Sequence, residues 1–93
     1  MNYYIEIKQK ILDNELYLKV KDYSKERNTV ITYFEIGRLL YEAGSKYGDR
    51  IIQKYSDKLM LEVGKKYNKS TLFRMRQFYK VFSNEKFAPM AQK

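Results

Sequence analysis

One proline, at position 89, and four glycines are all that punctuate ninety-three residues, so a helix meets almost no breaker before the C-terminal end. Apolar residues recur in steps of three and four, and the chain is therefore predicted to be all-α. Its length fits one domain over residues 1–93, with little stability to spare. Neither cysteine nor histidine occurs. That removes disulfide scaffolds, thiol chemistry, zinc fingers and every Ser-His or Cys-His nucleophile system. No apolar run approaches the roughly 20 residues of a membrane span, and the start, Met1 to Lys8, carries neither a basic leader nor a long apolar core. A cytoplasmic chain with no membrane contact and no secretory signal is expected.

Tyr4, Ile5, Ile7, Ile11 and Leu12 suit a short first helix, with Asp13-Asn14 capping a second that begins near Glu15. The second is long and amphipathic: Leu16, Val20, Tyr23, Val30, Phe34 and Gly37 to Tyr41 form a stripe that Ile31 and Leu40 widen. Asp22 to Asn28 reads as an exposed or bent stretch, and Gly44-Ser45 as the stop. A third helix starts near Gly48 or Asp49, turns Ile51, Ile52, Tyr55, Leu59 and Val63 inward, and ends at Gly64 in a left-handed conformation. Lys65 to Asn68 makes a turn. Asn68 then caps a fourth helix, Lys69 to Phe82, with Leu72, Met75, Phe78, Tyr79 and Phe82 inward. The pair over residues 49–82 has helix-turn-helix spacing.

The net charge is +8, and it is unevenly placed: residues 1–48 are nearly balanced, whereas residues 49–86 hold ten basic and four acidic groups. Such a balance points to nucleic acid or another acidic surface. At about 100° per residue, the arc of the fourth helix opposite its inward group collects Lys69, Ser70, Phe73, Arg76, Gln77 and Lys80, with Arg74 and Val81 at its edge. It contains no acid. The second helix of a DNA-binding helix-turn-helix enters the major groove, and on that reading Arg76 and Gln77 suit base edges. Lys69 and Lys80, with Lys65 and Lys66 of the turn, suit phosphates, as do the free backbone N–H groups at Lys69 and Ser70. Phe73 suits either stacking on a base or a protein interface. Plain solvated surface is the bland explanation of the same charges. Tyr23, Tyr33, Tyr41, Tyr55 and Tyr79 fall on or near the apolar stripes and read as core and interface residues with wet hydroxyls.

Residues that could carry chemistry are few. Acids such as Glu6, Asp13 and Asp22 are scattered, Glu35 and Glu42 read as solvated or paired with Arg38, and no acidic arrangement for Mg²⁺ and no phosphate-cradling GxxxxGK[ST] loop occurs. No catalytic residue, metal site or cofactor is expected, and the chain reads as a binding or assembly module.

The stretch Tyr33-Phe34-Glu35-Ile36-Gly37-Arg38-Leu39-Leu40, then Tyr47-Gly48, then Leu61 to Tyr67, then Leu72-Phe73-Arg74-Met75-Arg76-Gln77-Phe78-Tyr79 closely resembles the N-terminal domain of the bacterial YhcG-like family. The likeness covers nearly the whole chain. Asn68 stands where that family usually has Ser, and Lys66 where it often has Gly. The resemblance implies a helical region that precedes a C-terminal nuclease domain of the PD-(D/E)XK type, and a DNA-binding role for that region. It also implies a rival role for Arg76 to Tyr79, docking onto the nuclease-like domain or onto a second protomer. A homodimer is expected as well, because Tyr33, Ile36 and Leu39 lie beside an already complete apolar stripe on the second helix. The competing arrangement is a monomer in which the first helix, with Tyr4, Ile7 and Ile11, covers that surface.

Overall fold

The computed structural model describes residues 2–20 and 25–83, and side chains for all of these except 17–20 and 25–28. Tyr23, the polar stretch 22–28 and the tail 85–93, about which the sequence raised expectations, lie wholly or mostly outside what is described. Four helices follow in order: α1 Tyr3–Val20, α2 Lys25–Tyr47, α3 Arg50–Glu62 and α4 Lys69–Phe82. The fold is all-α.

The first two boundaries differ from expectation. Asp13-Asn14 does not cap a helix, because α1 runs straight through it and Asp13 accepts a side-chain bond from Gln9, one turn back, at 2.9 Å. The cap of α1 is Asn2, whose Oδ1 accepts from the Ile5 amide at 3.1 Å. Nor does Gly44-Ser45 stop α2. That helix continues to Tyr47 and ends at Gly48, the one described residue with a left-handed backbone, φ +93°. Gly64 does not take that conformation.

Which side of α2 is buried also differs. Ile36, Leu39, Leu40 and Ala43 are fully buried, while Val30, Ile31 and Tyr41 are exposed. The reason is α1, which lays Tyr4, Ile7 and Ile11 over the face that the sequence left unpartnered. Leu16 belongs to α1 and is exposed. Ile52, Tyr55 and Leu59 of α3 and Leu72 and Met75 of α4 complete the core. Of the residues expected inward on α4, Phe78 and Tyr79 are half-buried, and Phe82 is exposed beside Phe78, ring centroids 4.5 Å apart.

Helices α2 and α4 approach each other closely at Gly37. A Cβ on Gly37 would lie 2.1 Å from the Met75 carbonyl oxygen, so only glycine lets the two helices cross here. Phe34 and Tyr41 then pack on the Tyr79 ring from either side of Gly37, at 5.1 and 5.7 Å.

Candidate nucleic-acid interface

The connection that presents α4 is residues 63–68, longer than the three or four residues typical of a helix-turn-helix turn. It is held from inside. Tyr67 is buried, its carbonyl accepts from the Ser56 hydroxyl at 3.2 Å, and its phenol donates to Glu15 of α1 at 2.5 Å. Burial first, and then the Glu15 carboxylate, push the Tyr67 phenol well above its ordinary range. Asn68 caps α4 as expected, its side chain accepting from the Thr71 amide at 3.0 Å.

The candidate residues do not share one outward face. Lys65, Lys69, Ser70, Arg74, Gln77 and Lys80 are exposed. None of the four cations among them forms an ion pair within the described residues. Lys66 is exposed too, with a loose pair to Glu15 at 3.6 Å. Arg76 is different: its side chain is 19% exposed and its Nη1 donates to Asp49 Oδ1 at 2.9 Å. Its guanidinium also lies over the Phe73 ring, 4.7 Å from the centroid. Phe73 is half-buried against the core. Arg76 and Phe73 therefore line the seam between α3 and α4.

The helical wheel accounts for this. Arg76 sits only about 40° from Leu72, so it flanks the core side of α4, where the start of α3 packs. Asp49 precedes α3 but makes no side-chain cap bond, which leaves its carboxylate for Arg76. Gly44 supplies the room, since a Cβ there would come within 3.2 Å of Asp49 Oδ1 and 3.6 Å of Arg76 Nη1. The arc that holds no acid within α4 thus receives one from the residue that precedes α3. Alongside it an open groove of about 680 Å³ runs between α3 and α4, where Arg50, Lys54 and Lys69 face two carboxylates, Asp49 and Asp57.

Other charges are spent on packing. Tyr4 of α1 donates to Glu62 at 2.5 Å, Lys8 pairs with the same carboxylate at 3.0 Å, and Lys58 lies over the Tyr4 ring at 4.2 Å. The bond from Tyr4, then the one from Lys8, hold Glu62 below the usual carboxylate range. Burial raises Tyr4 in turn. Glu35 pairs with Lys10 and Glu42 with Arg38. Among the described residues no cluster of acids is placed to hold a metal ion, and no helix is long and apolar enough to cross a membrane.

An all-α domain whose last helix and preceding turn carry cations that form no ion pair among the described residues is thus a candidate for binding a polyanion. The chain belongs to the family described as the DUF1016 N-terminal domain, whose model matches residues 6–93, in keeping with the YhcG-like resemblance of its sequence. No curated protein and no solved structure matches it.

Proposed function

We propose that this chain is a DNA-binding module, without catalytic residues of its own, that contacts duplex phosphates through the turn and the exposed side of α4. The observation that carries the reading is the set Lys65, Lys69, Arg74 and Lys80, exposed and free of ion pairs among the described residues, with Lys66 only loosely held. Phosphate contacts of this kind position a protein on a duplex without reading its sequence. Of the two side chains suited to base edges, Gln77 remains on the exposed side, while Arg76 is committed to Asp49. Binding is accordingly weak and mostly indifferent to sequence.

The test is titration of a fluorescently labelled duplex across a salt series. Five cations give a slope of log affinity against log salt of roughly −4 to −5. Binding that is absent at low salt, or that ignores salt, overturns the proposal.

A second reading is favoured by a different observation, the apolar edge that Val30, Phe34, Tyr41, Phe78 and Phe82 present along α2 and α4. It suits docking onto a nuclease-like C-terminal domain or onto a second protomer, with no DNA contact. Duplex binding absent even at low salt, with partner association lost on Tyr41→Glu, selects it.

A further inference from the structure

A second cavity lies on the far side of the turn from the groove between α3 and α4. It encloses about 230 Å³, and residues from α1, α2, the turn and α4 contribute its walls. Two cations face into its lining, Lys66 from the turn and Arg74 from α4. Three hydroxyls accompany them: Thr29 and Tyr33 from α2 and Thr71 from α4. The Arg74 guanidinium reaches back to the Thr71 hydroxyl at 3.4 Å, which biases its fork toward the cavity wall. Asn14 and Tyr67 close the lining.

The chemistry of this set is donor-rich and cationic. Glu15 of α1, bound to two residues of this lining, already accepts the Tyr67 phenol at 2.5 Å and faces Lys66 at 3.6 Å. A pair that long, with Lys66 69% exposed, is cheaply exchanged for a better anion. Arginine offers a planar fork matched to two oxygens of one oxyanion, and lysine a point charge that can follow it. Since a water takes about 30 Å³ of liquid, the volume admits a tetrahedral oxyanion with a few waters.

We propose that this cavity is a phosphate site, in which Arg74 and Lys66 hold the oxyanion and the Thr29, Tyr33 and Thr71 hydroxyls donate to its remaining oxygens. The phosphate belongs either to a small phosphomonoester or to a nucleic-acid backbone. The site stands without the duplex reading, because inorganic phosphate alone tests it.

The experiment is titration of ¹⁵N-labelled protein with inorganic phosphate at constant ionic strength. Saturable shifts confined to the neighbourhood of Asn14, Thr29, Thr71 and Arg74 are expected. Arg74→Gln and Lys66→Met each weaken binding about tenfold, as loss of a charge-assisted hydrogen bond does. Glu15→Gln keeps an acceptor for Tyr67 yet removes the negative charge that faces Lys66, so it tightens binding. A variant that merely loosened the fold would move affinity the other way. Shifts that never saturate, that spread over every lysine, or that acetate reproduces at the same concentration overturn the site. A short duplex then separates the sources. If Arg74→Gln lowers duplex affinity in step with phosphate, the backbone fills the site, and if duplex binding is unchanged or absent while phosphate saturates, a free phosphomonoester does.

Discussion

A Cβ on Gly37 would meet the Met75 carbonyl oxygen at 2.1 Å and the Tyr79 Cβ at 2.8 Å, and the first of these is helix backbone that can give way only if α4 shifts as a whole. Gly37→Ala is therefore expected to cost at least about 3 kcal/mol, the upper end for overpacking, read as a lower urea midpoint. Gly64→Ala is the control. Its Cβ would meet nothing within 4 Å and its backbone is not left-handed, so stability should hold or rise by up to about 1 kcal/mol through the unfolded chain. Asp49 decides a different matter, because its carboxylate is what removes Arg76 from the exposed surface. With Asp49 68% exposed and capping nothing, Asp49→Ala should cost less than about 1 kcal/mol. If duplex DNA is the partner, the same change frees a cation beside α4, and the salt slope should steepen by about one. An unchanged slope would mean that Arg76 stays in the seam without Asp49.

At the scale of the helices, α1 is fastened by two tyrosine–carboxylate bonds, Tyr4 to Glu62 of α3 and Tyr67 of the turn to Glu15 of α1. Both phenols are raised above their unfolded value. A raised phenol contributes stability that is complete below about pH 10, tyrosine's ordinary value, and fades as pH climbs above it, because the unfolded chain releases protons that the folded one withholds. Alkaline unfolding followed by circular dichroism should therefore begin near pH 10. The Tyr4→Phe, Tyr67→Phe double variant should be less stable at neutral pH and show a flatter alkaline limb. An identical limb in both proteins would place the alkaline sensitivity elsewhere. These bonds also explain which helices were legible in the sequence. The start of α3 and the cap of α4 depend on local signals, Gly48-Asp49 and Asn68, and were readable. The length of α1 depends on where Ile7 and Ile11 find partners across the fold, which Asp13-Asn14 could not report. Gly37 looked like part of an apolar stripe because its reason, a backbone 38 residues away in Met75, is invisible to periodicity.

For the whole molecule, the candidate site was legible as composition and only partly as geometry. The cations of residues 65–80 were found, but Asp49 entered their arc through Gly44, and the cavity beside Arg74 joins Asn14, Thr29 and Thr71 from three helices that no spacing rule links. The homodimer proposal moves for the same reason. Of Tyr33, Ile36 and Leu39, the surface expected for it, Ile36 and Leu39 are sealed under α1, so Leu39→Glu should unfold the chain rather than divide a dimer. A symmetric contact can instead use exposed apolar side chains such as Val30 and Tyr41 of α2, 53% and 43% exposed, and Phe82 of α4, 44% exposed. Two copies meeting there bring together two chains of charge +8, with the cation-bearing helix of each close to the contact. Apolar burial then favours association while like charge opposes it, and salt screens only the second. Raising salt should strengthen the dimer, the opposite of its effect on duplex binding. Light scattering over a protein concentration series at low and high salt measures this. The expected result is a mass that rises toward the dimer at high salt and stays monomeric in Val30→Glu, Tyr41→Glu with helicity intact. A monomer mass throughout, at the highest protein and salt concentrations, removes the dimer and leaves the apolar edge for a partner of different sequence.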